Sequence, residues 1–250
     1  MDRQRVVNNP GLNLQRAVRP ELYEEQIIIN AINGAELNIY PDIEELEIDI
    51  AKYENINKEN ILICHGLDAG IKTLFEMHNT GNMVGFPNPS YGMYNVYAKI
   101  FNYKIIHFNY NNFELNLQNI YKPNLICLPN PGNPICNFIP VNQIKTILDN
   151  IDKNTWLFID EAYYGFGADT CKKLIQKYDN LIVGRTFSKF FGLPSIRVGY
   201  LMSNPNMIKH LSSRRHSYEV SGISKQFAQY AIKNYYIFND YAQEVITTRD

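Results

Sequence analysis

The stretch that decides the fold of this chain is Thr186-Phe-Ser-Lys189-Phe-Phe-Gly-Leu-Pro-Ser-Ile-Arg197-Val-Gly-Tyr200. It follows the apolar run Leu181-Ile-Val-Gly184, which predicts a short buried strand. Lys189 is surrounded in sequence by phenylalanines, and partial burial favours the neutral, nucleophilic form of a lysine. Arg197 offers a planar fork that suits a phosphate, and Ser188 offers a second donor. Together these groups suit an aldehyde cofactor that carries a phosphate, although a Ser-Lys pair alone is far more often solvated surface.

Length and composition are those of an ordinary globular protein. A chain of 250 residues can bury a sizeable core and suits one large domain, or one domain with a small appendage. Its net charge of −1, with both signs dispersed, argues against nucleic acid or a membrane surface as a partner. The apolar runs are too short to span a bilayer, and residues 1–5 lead into polar sequence without the apolar core of a secretory signal.

The cysteines favour a reducing compartment. The four cysteines form no C-x-x-C pair, and we predict no metal site. Cys64 and Cys127 lie in apolar, strand-like runs, where a reduced and buried thiol is the ordinary structure. We therefore predict a cytoplasmic location.

Short apolar strands alternate with helical segments along the chain. The pattern predicts strands near residues 61–64, 82–86, 104–108, 124–128, 155–159 and 181–183. It predicts helices near residues 21–32, 43–53, 68–77, 141–150 and 224–245, and another from residue 93. This alternation predicts an α/β fold of three α/β/α layers, in which helices cover both faces of a mostly parallel sheet. We reject a nucleotide-binding Rossmann domain because no G-x-G-x-x-G follows the first strand.

Polar residues follow the apolar runs at five places along the chain. They are His65-Gly-Leu-Asp68, Asn88-Pro-Ser-Tyr91, Asn130-Pro-Gly-Asn-Pro134, Asp160-Glu-Ala-Tyr163 and Ser188-Lys189. In an open parallel sheet, ligands bind at the carboxyl ends of the strands. We therefore expect these loops to lie at one edge of the sheet and to form one site.

These residue types suit pyridoxal phosphate, whose aldehyde forms an imine with a lysine. Its pyridine nitrogen must stay protonated so that the ring can accept electrons, and Asp160 follows an apolar strand where it could hold that nitrogen. Taken alone, a strand-end carboxylate more often caps a turn or a helix. Asn133 and Tyr163 can donate to the ring oxygen, although by composition alone the loop around Asn133 is more often an ordinary turn.

The cofactor ring and its phosphate need further partners. Tyr91 or Tyr94 could stack on the ring, although either is a core residue by default in a chain so rich in tyrosine. The segment Gly66-Leu-Asp-Ala69 opens a helix after a strand and offers main-chain amides to a phosphate. We expect the side chain of Asp68 to cap this helix rather than to touch the anion.

In their order and spacing, these segments identify a family. The chain resembles fold-type I pyridoxal-phosphate enzymes of the class I/II aminotransferase group, and within that group the histidinol-phosphate aminotransferases. The matching segments are Tyr40-Pro-Asp42, Gly66 to Ala69, Asn88 to Tyr94, Asn130 to Pro134, Asp160 to Tyr163, and Thr186 to Tyr200. The resemblance implies the large domain of the aspartate-aminotransferase-like fold.

The resemblance also assigns roles to residues. Lys189 would be the Schiff-base lysine and the general base of the 1,3-proton shift, and Asp160 would hold the pyridinium nitrogen. Asn133 and Tyr163 would bind the ring oxygen, and Tyr91 would stack on the ring. The phosphate would be bound by Leu67 and Asp68, largely through their amides, and by Thr186, Ser188 and Arg197.

The same resemblance divides the chain into parts. Residues 1–42 would form an N-terminal arm and dimer-contact segment, and residues 43–250 the pyridoxal-phosphate-binding large domain. Tyr40 would reach into the neighbouring subunit's site, which implies a homodimer with shared active sites. In this family a C-terminal small domain supplies the arginine for the substrate's α-carboxylate, and we expect that domain to be absent or truncated here.

The activity implied is the transfer of an amino group from a small-molecule donor to a keto or aldehyde acceptor in a ping-pong cycle. The substrate would be an amino acid or an amino phosphate of the histidinol-phosphate type. Two alternatives stay open: a pyridoxal-phosphate-dependent decarboxylase of a phosphorylated amino acid, and a non-catalytic remnant that binds the cofactor.

One loop departs from the family pattern. Ile135 and Cys136 stand where threonine and glycine are usual. Because Cys136 disfavours backbone conformations that glycine permits, we expect this loop to sit differently.

Overall fold

The computed structural model of the chain describes residues 23–78, 82–112 and 114–249. Residues 1–22 of the predicted arm, including the start of its predicted helix, lie outside this part of the chain. The helices are α1 (Glu25–Ile32), α2 (Glu44–Glu54), α3 (Gly66–Met77), α4 (Gly92–Ile100), α5 (Val141–Asn150), α6 (Pro205–Ser212), α7 (Gly222–Lys233) and α8 (Tyr235–Arg249). The strands are β1 (Ile61–His65), β2 (Met83–Asn88), β3 (Lys104–Asn111), β4 (Glu114–Leu115), β5 (Leu125–Pro129), β6 (Trp156–Asp160), β7 (Leu181–Thr186) and β8 (Val198–Met202). Short 3₁₀ helices span Lys58–Asn60, Lys172–Gln176 and Pro194–Ile196.

Within the described residues, the strands form one sheet in the order β1-β8-β7-β6-β5-β2-β3-β4. Neighbouring strands from β7 through β6, β5 and β2 to β3 pair in parallel. β8 runs antiparallel to both β1 and β7, and β4 runs antiparallel to β3. The predicted α/β fold with a mostly parallel sheet is confirmed.

Alternate residues of the strands pack into two separate cores. Ile61 and Ile63 of β1 belong to a core that includes residues of α2, α5 and α7, whereas Leu62 and Cys64 belong to one that includes residues of α3, α4 and α6. The same alternation continues along β5 and β6. Because both faces of the sheet are buried, its strands are continuous apolar runs rather than alternating ones, and the result is three layers.

One predicted helix differs from the observed structure, and β4, α6 and β8 lie where no element was predicted. The single helix expected over residues 224–245 is divided into α7 and α8 at Asn234, where φ is −117° and ψ is 33°. The strand β8 was not predicted, although its residues are apolar and fully buried. It runs against its neighbours, and it follows directly on Arg197, so it brings that arginine to the carboxyl edge of the parallel strands.

No helix in the described ranges is long and apolar enough to cross a membrane.

Candidate active site

A cavity of about 590 Å³ opens at the carboxyl edge of the sheet. Of the eleven residues predicted for the site, ten line this cavity: Leu67, Asp68, Tyr91, Asn133, Asp160, Tyr163, Thr186, Ser188, Lys189 and Arg197. They lie at the last residues of β6 and β7, in the segments that follow β1, β2, β5, β6 and β7, and at the residue before β8. Their convergence follows from the shared direction of the parallel strands, whose carboxyl ends meet at one edge.

Lys189 is a half-buried lysine in the turn after β7. Burial lowers the pKa of its amine, and the nearby charge of Asp160 opposes that shift in part. The Nζ atom lies 5.4 Å from the centre of the Tyr163 ring. Phe187 and Phe191 stack at 4.6 Å in the core behind the turn, so the backbone that carries the lysine is anchored in apolar packing.

Asp160 ends β6 with its side chain buried. Its Oδ2 accepts a hydrogen bond from the Tyr94 hydroxyl at 2.7 Å, and its Oδ1 accepts one from the main-chain N–H of Ala162 at 3.0 Å. The second bond is the turn contact expected of an ordinary strand-end carboxylate. Burial raises the pKa of this carboxyl from 3.8 to about 6, while the two hydrogen bonds and Lys189 lower it. The residue is thus both a turn residue and an acidic group of the cavity.

The part of the cavity lining at the start of α3 suits an anion. Helix α3 begins at Gly66, and no side chain of the described residues caps it. Arg197 lies against this helix start, because a Cβ at Gly66 would stand only 2.5 Å from its Nη2 atom. The hydroxyl of Thr186 donates to Ser188 Oγ at 3.0 Å and accepts from the Ser188 N–H at 3.1 Å. Free amides, a helix dipole and a guanidinium together favour bound phosphate.

The predicted capping role of Asp68 is wrong. Its carboxylate instead accepts hydrogen bonds from the hydroxyls of Tyr91, at 3.2 Å, and Tyr97, at 2.9 Å. Both tyrosines belong to the start of α4 or its first turns, so the carboxylate links α3 to α4 rather than satisfying its own helix end.

Tyr91 and Tyr94 were both candidates for stacking on a ring. Tyr91 is half-buried and lines the cavity, whereas Tyr94 is fully buried beneath it. Their rings meet edge to face at 5.6 Å and 87°. Sequence reasoning missed the contacts of Tyr94 and Tyr97 with the two carboxylates. The recurrence of tyrosine at every third position from Tyr91 was the available signal.

The loop after β5 contains Cys136, which stands where the family usually has glycine. Cys136 has a φ of +60°, in the region usually occupied by glycine. The side chain of Asn130 pairs with both main-chain polar groups of Ile139 at 2.9 Å, and this pairing closes the loop. Asn133 and Pro134 line the cavity. The loop thus contributes to the cavity while Cys136 has a positive φ.

Tyr40, the remaining predicted site residue, lies outside the cavity of its own chain. Its side chain is 74% exposed, and its ring stacks on Tyr218 at a centroid distance of 4.3 Å.

A buried ion network that sequence reasoning missed lies behind the cavity. Arg185 precedes Thr186 on β7 and bonds Glu54 through Nη1 at 2.8 Å and Glu161 through Nη2 at 2.9 Å. Lys172 adds a second cation to Glu54 at 2.8 Å. Because Glu161 follows Asp160 directly, the network ties the ends of β6 and β7 to α2.

Comparison with known proteins assigns the family. Residues 7–250 match the family model "Aminotransferase class I and II". The chain belongs to this family. It is similar to the histidinol-phosphate aminotransferase of Thermoanaerobacter pseudethanolicus, with 33% identity over 226 residues that cover 83% of this chain and 62% of that protein. It is also similar to the histidinol-phosphate aminotransferase of Brachyspira hyodysenteriae, with 34% identity over 242 residues that cover 92% of this chain and 67% of that protein.

Solved structures of other proteins share the fold. Histidinol-phosphate aminotransferase from Sinorhizobium meliloti, solved in complex with pyridoxal-5'-phosphate, superposes with a TM-score of 0.82 at 22% identity, over 89% of this chain and 64% of that one. L-threonine-O-3-phosphate decarboxylase from Porphyromonas gingivalis superposes with a TM-score of 0.73 at 20% identity, over 86% of this chain and 69% of that one. At these identities the likeness is one of fold alone. The chain spans 62–64% of the length of the first curated relatives that it matches.

Proposed function

We propose that this protein is a pyridoxal-phosphate-dependent aminotransferase of the histidinol-phosphate type, with Lys189 as the residue that binds the cofactor covalently. The observation that carries the proposal is the convergence of ten predicted residues on one cavity. A volume of about 590 Å³ lies in the range of small-molecule and cofactor sites. The two curated relatives described above are named for this activity.

The donor set of the cavity fits pyridoxal phosphate. A lysine with a lowered pKa is present for the aldehyde, and a buried carboxylate for the ring nitrogen. Tyr91 offers an aromatic face, and Asn133 and Tyr163 offer donors to the ring oxygen. The start of α3, with Thr186, Ser188 and Arg197, offers an anion site for the phosphate.

Each residue would contribute a defined step. When bound, the cofactor supplies a carbonyl for the amine and a ring that withdraws electrons from the substrate's α-carbon. Partial burial keeps a larger fraction of Lys189 neutral, so its Nζ would be able to hold the cofactor covalently and, once released from it, to accept and return the α-proton. The carboxylate of Asp160 would hold a proton on the ring nitrogen.

Absorption spectroscopy tests this proposal. Wild-type protein mixed with pyridoxal phosphate should gain a visible absorption band from the lysine-bound cofactor, and Lys189→Ala should lose it. Lys177→Ala is the matched control, because the Lys177 side chain is 61% exposed and lies outside the cavity. A wild-type protein without the band, or a band that persists in Lys189→Ala, would contradict the assignment.

A second measurement addresses the reaction. Amino acids and histidinol phosphate are added to the loaded protein, and amino transfer should bleach the band with release of the matching keto or aldehyde product. Release of carbon dioxide instead would identify a decarboxylase. A band that no amine changes would identify a protein that binds the cofactor without turnover.

We further propose that the protein is a homodimer in which residues 1–42 provide contact surface. Of this segment the structure describes residues 23–42, which expose Ile29, Leu37 and Tyr40 to solvent. Exposed apolar side chains so close together are typical of an interface. Because Tyr40 lies outside its own cavity, its position supports a contribution to the partner's site.

We also propose a reducing, cytoplasmic location. The four cysteines are free, and Cys64, Cys127 and Cys171 are buried. Burial raises the pKa of the Cys64 thiol to about 12, so this group stays protonated and inert at neutral pH.

A further inference from the structure

Tyr91, which directly precedes α4, and Tyr94 and Tyr97 of α4 direct their hydroxyls at the two carboxylates of the cavity. Tyr91 and Tyr97 donate to Asp68 at 3.2 and 2.9 Å, and Tyr94 donates to Asp160 at 2.7 Å. Tyr94 and Tyr97 are three positions apart and are therefore neighbours on the surface of α4, and Tyr91 adds the third bond from the residue before the helix. The bond of Tyr94 is the shortest of the three, and the residue makes it from beneath the cavity.

Tyr94 cannot move away from this bond at low cost. Its side chain is fully buried, with its ring 5.6 Å from the rings of both Phe86 and Tyr91. Burial and the negative charge of Asp160 raise the pKa of its phenol well above the ordinary value. The hydroxyl is therefore protonated at neutral pH, and it donates to Asp160.

The groups around Asp160 determine how strongly the hydrogen bond from Tyr94 affects ionisation of the carboxyl. The titratable groups that face the carboxylate are Tyr91 and Tyr94 of α4, Cys127 of β5, Glu161 and Tyr163 after β6, and Lys189 after β7. Among them, Tyr94 donates a side-chain hydrogen bond to Asp160 in the structure, and the Ala162 N–H adds a main-chain one. Burial opposes ionisation of the carboxyl, and these two bonds favour it.

We propose that Tyr94 is a positioning residue that acts through Asp160: its hydrogen bond fixes the carboxylate and favours the ionised form that a cationic ring nitrogen requires. This inference rests on the proposed function, because it takes the ring nitrogen of pyridoxal phosphate as the group that Asp160 meets. The hydrogen bond from Tyr94 to Asp160 is present without the cofactor. Its effect on the carboxylate can therefore also be measured in cofactor-free protein.

The first test therefore uses cofactor-free protein. The titration of Asp160 is followed by NMR of carboxyl-labelled aspartate in wild type, Tyr94→Phe and Tyr97→Phe. Loss of a hydrogen bond to a buried anion should raise the midpoint of the Asp160 titration by about one to two pH units in Tyr94→Phe. Tyr97→Phe is the matched control, since it removes the same kind of bond from Asp68 and should leave the Asp160 midpoint in place. Equal midpoints in wild type and Tyr94→Phe would overturn the proposal.

The second test uses the cofactor and an analogue in which a C–H group replaces the ring nitrogen. Tyr94→Phe should bind pyridoxal phosphate about tenfold more weakly than wild type at neutral pH, but should bind the analogue as wild type does. A purely structural role of Tyr94 would weaken both ligands equally and would overturn the proposal. If wild type binds no pyridoxal phosphate, the proposed function fails, and the titration in cofactor-free protein still decides the role of Tyr94.

A measurement on wild type covers the case in which Tyr94→Phe does not fold. The hydroxyl proton of Tyr94 should give a downfield NMR resonance that shifts as Asp160 is titrated. A hydroxyl resonance that is insensitive to the Asp160 titration would show that the bond does not exist in solution.

Discussion

Gly66 leaves room for Arg197 at the start of α3. Its φ is +71°, and a Cβ there would stand 2.5 Å from Arg197 Nη2. Gly66→Ala should therefore strain the backbone and push the guanidinium out of the anion site. We expect pyridoxal phosphate to bind about tenfold more weakly or worse, the equivalent of one lost hydrogen bond to a charged group. A fluorescence titration of the cofactor measures this.

The control for this change is another glycine at a helix start. A Cβ at Gly92, the first residue of α4, would meet no atom within 4 Å. Gly92→Ala should leave the binding of the cofactor unchanged and should stabilise the protein slightly, because alanine favours a helix. Equal affinity in the Gly66→Ala and wild-type proteins would contradict the expectation that the space at Gly66 holds the Arg197 guanidinium at the anion site.

Asp160 should lower the stability of the cofactor-free protein at neutral pH. Its pKa is about 6 in the folded protein against 3.8 ordinarily, so the folded state binds the proton more tightly. This favourable contribution is present below about pH 4 and is lost as the pH rises through about 6. At pH 8, Asp160→Asn should thus raise the free energy of unfolding by up to about 3 kcal/mol. Urea denaturation from pH 4 to 8 measures the difference, which should vanish at the acid end.

The exposed Asp169 provides the comparison for this charge removal. Asp169→Asn should leave stability unchanged over the same pH range, because its carboxylate is solvated. An Asp160→Asn protein that is less stable than wild type at pH 8 would mean that the ionised carboxylate gains more from its hydrogen bonds than it loses by burial.

Among the elements, α2, β6 and β7 are joined by charges rather than by apolar contact alone. Arg185 is 4% exposed and bonds two carboxylates that are equally buried, Glu54 and Glu161. Arg185→Met would leave both without their main partner, and removal of one member of a buried pair costs about 3–5 kcal/mol. We expect a loss of this size in chemical denaturation at pH 7. The loss should shrink in acid, where the carboxylates can take up protons.

An exposed ion pair serves as the reference for this network. Lys58 pairs with Glu44 at the surface, where water already solvates both groups. Lys58→Met should not change the free energy of unfolding measurably. If Arg185→Met also left the free energy of unfolding unchanged, the ion network would not be what joins α2, β6 and β7.

The sequence predicts the parallel strands and the loops after them better than it predicts the antiparallel strand β8 and the polar side-chain contacts around the site. The strands β5, β6 and β7 were predicted because buried parallel strands are continuous apolar runs. The loops after them converge by a general rule of such sheets, and the family resemblance assigned the roles of the ten residues that line the cavity. In contrast, the carboxylate contacts of Tyr94 and Tyr97 depend on how α4 packs against α3 and β6. The network of Arg185 joins residues more than 100 positions apart, and no local pattern predicts it.

For the molecule as a whole, the exposed apolar residues around α1 are the feature that the fold of one chain does not explain. Ile28, Ile29 and Ile32 of α1 are more than one-third exposed, and Leu37 is 76% exposed. The segment after α1 lies close to the start of α7, because a Cβ at Gly222 would stand 3.2 Å from the Glu36 carbonyl. In the same segment, the ring of Tyr40 stacks on the ring of Tyr218. We call the exposed residues Ile28, Ile29, Ile32, Leu37 and Tyr40 together the α1 face.

A second copy of the chain is the partner proposed for the α1 face, and charge placed there should separate the two copies. Wild type should sediment as a dimer, whereas Ile29→Glu combined with Leu37→Glu should sediment as a monomer, because burying two carboxylates in an apolar contact is unfavourable. Ile100→Glu is the control: Ile100 is 58% exposed at the end of α4, away from the α1 face. If Tyr40 contributes to the partner's site, the monomeric variant should also bind pyridoxal phosphate more weakly than Ile100→Glu. A dimer that survives both changes on the α1 face would require its contact surface to lie elsewhere.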